Sequence, residues 1–406
     1  MKLFIKTYGC KANQHDSQLL LENFLEEGYN ISSFGDADTV VVNTCCVTGK
    51  AEKESRSFIR KSAAAGKRVW MTGCAVKREE FCERCGASVS ILPDMQLKKK
   101  TISSFYNHTR AFVKIENGCE NFCAYCIVPY VRGNVKSRSE EEIAEEVETL
   151  CDNGYKEIVL TGIDTGAYGK DTGADIIKLL ERLKTIKGLE RVRISSIELF
   201  YLTDALCDYL VSFPLFCPHF HIPLQSGSDK ILKLMRRRYT FSDYLSRIEK
   251  IKKKGRAENI TFTTDIIVGF PYEEDADFSL SAQAVKDIGF LKVHIFRYSK
   301  REGTAAYCLG GDIPSSIKKE REKILKEEAL KVSMDIKKRF IGQELDVLVE
   351  REKEGWWTGY SSHYLPVKIS VRSANECLFN KIVPVKAEGM DKHGLLHGRI
   401  IEGKTE

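Results

Sequence analysis

The chain has 406 residues, of which 43% are hydrophobic and 30% are charged, with 14 cysteines and a formal net charge of +6. These values are typical of a globular protein of two or three domains and exclude a disordered or fibrous chain. The sequence contains no apolar run of about 18 residues, so we expect no membrane span. The polar N-terminus does not resemble a signal peptide. We therefore expect a cytoplasmic protein whose cysteines serve metal or redox chemistry rather than a disulfide framework.

Residues 1–104 are predicted to form a parallel α/β domain. The pattern alternates strands with helices, which favours right-handed crossovers in a parallel sheet. The predicted elements are the strands Leu3–Tyr8, Thr39–Asn43 and Val69–Thr72 and the helices 16–27 and Lys50–Ala64.

Cysteines follow each of these three strands. They are Cys10, Cys45 or Cys46, and Cys74. Because the carboxyl ends of parallel strands meet at one edge of the sheet, where open α/β folds bind ligands, we expect these cysteines to converge. A cluster held by three cysteines is the economical explanation, and unrelated buried cysteines are the alternative. A further pair, Cys82 and Cys85, is interpreted as structural or as a weak zinc candidate.

Three more cysteines, Cys119, Cys123 and Cys126, stand in one short segment. Gly118 before them and Pro129 after them favour a loop over a helix. Three local thiolates can ligate three irons of a four-iron cluster and leave the fourth iron open to a small molecule. The alternatives are a zinc site and cysteines on the buried face of a helix.

Residues 105–340 are predicted to form a partial (β/α)6 barrel. Ser139 and Glu142 resemble a capping box at the start of a helix, and a charged helix is predicted at Lys318–Phe340. Six strands are two short of a full eight-stranded barrel, so we expect an open one. The predicted strands are Phe112–Ile115, Ile158–Thr161, Val192–Ser195, Phe220–Leu224, Ile260–Val268 and Leu291–Phe296.

Polar residues follow successive strands of this barrel, at the rim that carries the chemistry in barrels of this kind. Together they offer hydroxyl, amide and carboxylate partners for a nucleoside and an amino-acid end. The cofactor-binding candidates are Tyr125, Thr161, Gly162, Ser195, Glu198, Gln225 and Asp265.

Residues 341–406 are predicted to form a small all-β barrel, because five short strands with glycine-bearing turns follow one another. The predicted strands are Glu344–Glu350, Trp356–Tyr360, Leu365–Val371, Ile382–Glu388 and Leu395–Ile400. An aromatic group in this segment could stack on unpaired bases, and packing in the barrel core is the alternative.

Residues 230–256 contain eleven Lys and Arg residues and only two acidic ones. Concentrated positive charge suits a phosphate backbone, although a solvated helix face is an equal alternative. The RNA-binding candidates from this segment and from the aromatic group are Arg236, Arg237, Arg238, Trp357, Tyr360 and Tyr364.

Taken together, the motifs resemble the methylthiotransferases of the radical S-adenosylmethionine (SAM) superfamily over nearly the whole chain. The resemblance rests on Thr7–Gln14, Val42–Cys45, Thr72–Cys74 and the Cys119 loop, in the family's order. It implies an auxiliary 4Fe-4S cluster on Cys10, Cys45 and Cys74, with Cys46 as the fallback. It also implies a SAM-binding 4Fe-4S cluster on Cys119, Cys123 and Cys126, and a C-terminal RNA-binding barrel of the TRAM type.

The resemblance implies that one SAM yields a 5′-deoxyadenosyl radical and that a second SAM donates a methyl group. The implied partners are a transfer-RNA anticodon stem-loop, a flavodoxin- or ferredoxin-type electron donor and a sulfur source. Motifs such as Cys10–Gln14 and Gln225–Asp229 are most similar to the branch acting on N6-threonylcarbamoyladenosine. The alternatives are N6-isopentenyladenosine in transfer RNA, a ribosomal-protein aspartate, another radical SAM chemistry, and a non-enzymatic, zinc-stabilised RNA-binding protein.

Overall fold

The N-terminal unit is a five-stranded parallel sheet in the order β2-β1-β3-β4-β5. The computed structural model describes residues 1–86, 89–92, 98–106, 108–254, 260–370 and 377–401. The elements of this unit are β1 (Lys2–Thr7), α1 (Lys11–Glu26), β2 (Asn30–Ile31), β3 (Thr39–Thr44), α2 (Gly49–Ala64), β4 (Arg68–Gly73), α3 (Glu79–Glu83) and β5 (Ser90–Ile91). The predicted parallel α/β class is confirmed.

The central strand β3 explains why this sheet forms. Its sequence Thr-Val-Val-Val-Asn-Thr is buried along its whole length, as expected for a β-branched strand covered on both faces of a parallel sheet. Helix α1 begins at Lys11, five residues before the predicted start. The Asn13 side chain donates hydrogen bonds to the carbonyls of Tyr8 and Thr44 at 2.8 and 3.0 Å, which fixes the first turn of α1 beside the ends of β1 and β3.

The central unit is an open barrel built from two three-stranded parallel sheets, β6-β9-β10 and β11-β12-β13. A bridge between Val192 and Phe216 brings the two sheets together. The elements are β6 (Arg110–Lys114), β7 (Glu116–Asn117), α4 (Val128–Arg132), β8 (Lys136–Ser137), α5 (Glu140–Asp152), β9 (Glu157–Thr161), α6 (Ile176–Lys184), β10 (Arg191–Ile194), α7 (Asp204–Ser212), β11 (His219–His221), α8 (Asp229–Leu234), α9 (Phe241–Lys254), β12 (Thr261–Val268), α10 (Asp275–Ile288), β13 (Lys292–Arg297) and α11 (Ser315–Lys338).

All six predicted barrel strands are present, and the helix predicted to follow Ser139 is α5. The Ser139 hydroxyl accepts a hydrogen bond from the Glu142 amide at 3.2 Å, which satisfies one of the free amides of the first turn. The partial (β/α)6 architecture is therefore confirmed.

The C-terminal unit is a closed barrel in the order β14-β15-β16-β18-β17. Its strands are β14 (Glu344–Lys353), β15 (Trp356–Ser361), β16 (Pro366–Ser370), β17 (Ile382–Met390) and β18 (Leu396–Ile400). It has its own apolar core, which includes Val347, Val367 and Val385. The small all-β barrel is confirmed, while the predicted strand end at Val371 lies outside the described residues.

Buried polar contacts join the three units. His15 of α1 contacts Glu146 of α5 at 2.9 Å, and both side chains are almost fully buried. Arg110 of β6 pairs with Glu350 of β14 at 2.9 Å, and the Thr261 hydroxyl donates to the carbonyl of His363 at 2.6 Å. The domain boundaries at 104/105 and 340/341 stay predictions that fall between these units. No helix within the described ranges is both long and apolar enough to cross a membrane.

Candidate cluster and cofactor site

Both groups of three cysteines open onto one cavity of about 320 Å³ between the N-terminal sheet and the central barrel. Cys45 and Cys74 directly follow β3 and β4, and Cys10 lies at the N-cap of α1. The second group enters from the loop between β7 and α4. The cavity-lining cysteines are Cys10, Cys45, Cys74, Cys119, Cys123 and Cys126. The convergence expected from the strand ends is therefore present.

The structure separates the neighbours Cys45 and Cys46. Cys45 lines the cavity, whereas Cys46 is fully buried in the apolar core of the N-terminal sheet. Cys46 nevertheless contacts Cys74. Its thiol donates a hydrogen bond to the Cys74 sulfur, and this hydrogen bond lowers the pKa of Cys74. The geometry favours Cys45 over Cys46 as the third ligand candidate.

A cation and an amide lie against the first group of cysteines. Arg132 of α4 donates a hydrogen bond to the Cys74 sulfur at 3.1 Å, and it also pairs with Asp16 at 3.1 Å. The Asn13 amide oxygen lies 3.9 Å from the sulfurs of both Cys10 and Cys74. The Asn13 oxygen can only accept a hydrogen bond from a thiol, whereas the hydrogen bond from Arg132 stabilises negative charge on the Cys74 sulfur, as hydrogen bonds to sulfur do in iron–sulfur sites.

The second group has an equivalent cation, Arg237. It donates a hydrogen bond to the Cys123 sulfur at 3.3 Å and another to the Tyr125 hydroxyl at 3.5 Å. Its other nitrogens contact Glu198 and the Tyr239 hydroxyl. Only 2% of the Arg237 side chain is exposed, so the guanidinium is held in place beside the sulfur.

Asp164 closes the other side of the Cys119 loop. Its carboxylate accepts hydrogen bonds from Asn121 at 2.7 Å and Tyr201 at 3.1 Å, and it lies 3.8 Å from the Cys119 sulfur. Burial, with the nearby charge of Glu198, raises the pKa of Asp164 to about 6. An acid with this pKa changes charge close to neutral pH, next to a candidate ligand.

A buried carboxyl group, that of Glu116, lies beneath Asp164 and contacts its backbone. Glu116 accepts a hydrogen bond from the Asp164 amide at 2.6 Å, and burial raises the pKa of Glu116 to about 8. Gly162 lies directly against this carboxyl, and a Cβ atom at position 162 would overlap it. Glycine is therefore required here by close approach.

The seven cofactor-binding candidates all line this cavity or an adjoining one. Thr161 and Ser195 line the adjoining cavity, where their hydroxyls lie 3.2 Å apart. The remaining five line the cavity that contains the cysteines, namely Tyr125, Gly162, Glu198, Gln225 and Asp265.

The three arginine candidates for RNA binding do not share one surface. Arg236 and Arg238 are exposed, whereas Arg237 lies in the site described above. Part of the basic segment is neutralised, because Asp204 pairs with both Arg247 and Lys250. Its last two residues, 255 and 256, lie outside the described residues.

The aromatic candidates lie mostly against other parts of the protein. Tyr360 and Tyr364 are stacked with their ring centres 5.1 Å apart, beneath Arg110, and Trp357 packs against the core of the C-terminal barrel. Trp356, which belongs to the same predicted aromatic group, is 38% exposed, and the Lys368 ammonium lies 4.0 Å from its ring centre.

The donor set is six cysteine sulfurs in two groups of three, which is the ligand type of iron–sulfur clusters. In the described part of the chain, no three Cys, His, Asp or Glu side chains converge on a point that one ion could occupy. A four-iron cluster takes one cysteine per iron, so its ligands surround it instead of converging. Cys85 is buried in the N-terminal core and Cys82 donates to the Val76 carbonyl at 3.5 Å, which agrees with a structural interpretation of that pair.

Several site residues were missed by the sequence analysis, including Asn13, Arg132 and Asp164. Arg237 was found, but as an RNA contact. Each of these residues reaches a cysteine that is 45 to 114 positions away along the chain. Local spacing does not reveal such pairings.

Known proteins match the chain along almost its whole length. Residues 113–285 match the Radical SAM superfamily and residues 2–88 match the uncharacterized protein family UPF0004. The threonylcarbamoyladenosine tRNA methylthiotransferase MtaB of Thermotoga maritima is 34% identical over 99% of this chain and 98% of its own length. The chain belongs to the radical SAM methylthiotransferase family.

The family assignment confirms the resemblance found in the sequence and the enzyme class, a radical SAM tRNA methylthiotransferase. It also implies a 4Fe-4S cluster and SAM. MtaB of Bacillus subtilis is 34% identical over 94% of this chain and 92% of its own length. A tRNA-2-methylthio-N(6)-dimethylallyladenosine synthase of Fervidobacterium nodosum is 35% identical over 98% of this chain and 99% of its own length. Identity alone therefore does not choose between the two substrates.

The solved structures support the fold of this radical SAM methylthiotransferase. The radical S-adenosylmethionine methyltransferase TsrM from Kitasatospora setae superposes with a TM-score of 0.53 at 13% identity, covering 88% of this chain and 80% of that protein. At this identity the similarity concerns the fold alone.

Proposed function

We propose that this enzyme inserts a methylthio group at C2 of N6-threonylcarbamoyladenosine beside the anticodon of a transfer RNA. One SAM would serve as the source of the hydrogen-abstracting radical and a second SAM as the methyl donor. The observation that carries the proposal is the shared cavity, in which two groups of three cysteines from different domains face each other. A sulfur-inserting enzyme needs such an arrangement because hydrogen removal and sulfur transfer must reach the same carbon atom.

The cofactors supply the difficult chemistry. When bound, a cluster on Cys119, Cys123 and Cys126 would present SAM for radical generation, and a second cluster on Cys10, Cys45 and Cys74 would present the sulfur. The C2 hydrogen would leave on 5′-deoxyadenosine, and the second SAM would supply the methyl carbon. The starting electron would come from a flavodoxin- or ferredoxin-type donor, and a separate sulfur source would restore the inserted atom.

The protein's own residues bind and orient these groups. Arg132 and Arg237 donate hydrogen bonds to one sulfur of each group at 3.1 and 3.3 Å. Glu198 and Asp164 line the same cavity and would accept hydrogen bonds from the hydroxyl and amino groups of SAM. Gly162 lets a ligand approach the backbone closely.

The substrate assignment is supported by the relatives and by the exposed charge. Four similar proteins are named as threonylcarbamoyladenosine enzymes. Arg236 and Arg238 on the surface suit the phosphates of an anticodon stem-loop, whose unstacked bases are favoured targets for sequence-specific recognition. A transfer-RNA substrate also agrees with a cytoplasmic location.

The deciding experiment is nucleoside mass spectrometry of transfer RNA from cells with and without the gene. We expect loss of the 2-methylthio form of threonylcarbamoyladenosine and accumulation of its unthiolated precursor. Loss of 2-methylthio-isopentenyladenosine instead would transfer the enzyme to the other substrate. Unchanged transfer RNA would contradict both assignments and leave a ribosomal-protein aspartate as the candidate.

A further inference from the structure

A second cavity of about 490 Å³ lies inside the barrel and adjoins the cavity of the cysteines. Residues common to the linings of the two cavities are Cys10, Gly162, Ile163, Ser196 and Asp265. A group held in the second cavity would therefore lie next to the proposed reaction centre.

The walls of this cavity are polar and mostly basic. Alternate residues of the barrel strands line it, as expected for side chains on one face of each strand. Lys11 enters from α1 of the N-terminal unit, and Tyr364 enters from the C-terminal barrel. The lining side chains from the strands include Arg193, His219, His221, Thr263, Asp265 and His294.

Arg193 lines this cavity and has one unused donor. It is 98% buried, and it donates to Glu157 at 2.9 Å and to the Ser362 carbonyl at 3.1 Å. Its Nη1 atom is buried and has no hydrogen-bond partner. The ring nitrogen Nδ1 of His219 is likewise buried without a partner. A buried donor such as the Arg193 Nη1 group costs free energy unless a ligand satisfies it.

Lys11 adds a second cation. Among the described residues, no carboxylate lies within 4 Å of its ammonium group, and the Phe112 ring centre is 5.8 Å away. The acid facing the cavity is Asp265, which already contacts His221 at 3.4 Å. Burial and the nearby cations lower the pKa of His294 to about 4, so this ring is neutral at neutral pH. Glu157 already pairs with Arg193, so Lys11 is the cation of the lining that no carboxylate of the described residues pairs, and the cavity favours an anion at that position.

We propose that this cavity binds the carboxylate of the threonylcarbamoyl substituent, with Lys11 and Arg193 as the recognising cations. The inference rests on the proposed function and specifies how the substrate is selected. The N6 and C2 atoms of adenine lie on the same edge of the base, separated by N1. An adenine with this edge towards the two cavities presents C2 to the cysteine groups and extends its N6 substituent into the barrel.

The cavity does not suit the alternative substituent. An isopentenyl group has no polar atom, so it would leave the Arg193 donor and the His219 ring nitrogen unpaired and would bury the Lys11 ammonium against hydrocarbon. A carboxylate would instead form charge-assisted hydrogen bonds, which are stronger than neutral ones. Discrimination by buried polar groups of this kind can be large, because a ligand without the matching group leaves them unsatisfied.

SAM provides a second carboxylate, on its methionine end. Of the SAM candidates, Tyr125, Glu198 and Gln225 line the cavity of the cysteines and not the cavity inside the barrel, Thr161 and Ser195 line the cavity inside the barrel and not that of the cysteines, and Gly162 and Asp265 line both. The cation Arg237 lines the cavity of the cysteines. Lys11 and Arg193 line the cavity inside the barrel and not the one with the cysteines. We therefore assign the cavity inside the barrel, called the inner cavity below, to the substrate. The experiment distinguishes the carboxylate of the substrate from the carboxylate of SAM.

The test uses the reconstituted, full-length enzyme and three anticodon stem-loops of the same sequence. They carry threonylcarbamoyladenosine, its form with the carboxylate converted to a neutral amide, or unmodified adenosine. We expect wild type to bind the carboxylate form about tenfold more tightly than the amide form, as for one charge-assisted contact. Lys11→Met should reduce this difference severalfold, because only Arg193 then remains to contact the carboxylate, and Lys11→Arg should restore part of it.

Because Lys11 is adjacent to Cys10, iron and sulfide content and SAM affinity are measured for each variant. The comparison of carboxylate and amide in wild type needs no variant and stands even if Lys11→Met loses its clusters. Equal binding of the two forms by wild type would overturn the inference, and so would a Lys11→Met variant that keeps the difference. Reduced SAM affinity with unchanged RNA discrimination would assign the cation to SAM and also overturn it. Failure of wild type to methylthiolate the carboxylate form would instead contradict the proposed function.

Discussion

At the scale of single residues, the neighbours Cys45 and Cys46 have different environments. Cys45 faces the cavity of the cysteines, and Cys46 is buried in the apolar core. We expect Cys45→Ala to abolish methylthiolation, because the second cluster would lose a ligand. Cys46→Ala is the matched control and should cost about 1 kcal/mol of stability, as for a small cavity, while keeping most of the activity. Product yield and iron content measure both effects, and the reverse outcome would assign the ligand to Cys46.

Arg237 provides a second prediction at this scale. Arg237→Lys keeps the charge but removes the planar set of donors that contacts Cys123, Tyr125 and Glu198 together. We expect SAM cleavage to fall at least tenfold and the reduction potential of the cluster to shift, because hydrogen bonds to sulfur set that potential. Arg238→Lys, at the adjacent exposed position, should change neither quantity. An unchanged potential in Arg237→Lys would contradict a role beside the cluster.

The same residues show what sequence could and could not predict. All six cavity-lining cysteines could be proposed, because a short spacing or a strand end marks each of them. The role of Arg237 could not, because the run Arg236-Arg237-Arg238 looks uniform in sequence. Burial distinguishes the middle residue, and burial depends on the packing of α8 against the cluster loop, where the Ala124 amide donates to the Met235 carbonyl at 3.0 Å. Lys11 was likewise hidden, since its neighbours in the cavity come from two other domains.

At the scale of elements, the surface that follows α8 should contact RNA. Replacing Arg236 and Arg238 together with Gln should weaken transfer-RNA binding and reduce its dependence on log salt by about two phosphate contacts. The matched control replaces Lys250 and Lys254, which already pair with Asp204 and Asp208, and should have a smaller effect. Equal salt slopes for wild type and the Arg236/Arg238 variant would assign this surface to solvent.

Long elements with a clear pattern were predicted to within a few residues, and the exceptions have physical causes. The two-residue edge strands β2 and β5 carry no detectable alternation, so no pattern could predict them. The early start of α1 was missed because Asn13 fixes its first turn through carbonyls of β1 and β3, which are contacts between elements. Both misses concern pairing with other parts of the chain rather than local preference.

At the scale of the whole molecule, the three domains share one functional centre. The C-terminal barrel supplies Tyr364 to the inner cavity, whereas none of the described residues of that barrel lines the cavity of the cysteines. We expect a chain ending after Lys338 to retain uncoupled SAM cleavage but to lose RNA binding and the preference for the carboxylate form. The truncation also removes the partners of Arg110 and Arg193, so its melting temperature should fall by several degrees. Retained discrimination in the truncated enzyme would contradict this division of roles.

The central claim is that the two groups of cysteines meet at one substrate atom and do different work. The most direct measurement compares Cys74→Ala with Cys126→Ala in anaerobic reactions that contain SAM, a reductant and the threonylcarbamoyladenosine stem-loop. Mass spectrometry then quantifies 5′-deoxyadenosine and the methylthiolated nucleoside. The account predicts that Cys126→Ala forms neither product and that Cys74→Ala forms 5′-deoxyadenosine without the methylthiolated nucleoside. Full methylthiolation by Cys74→Ala would contradict it.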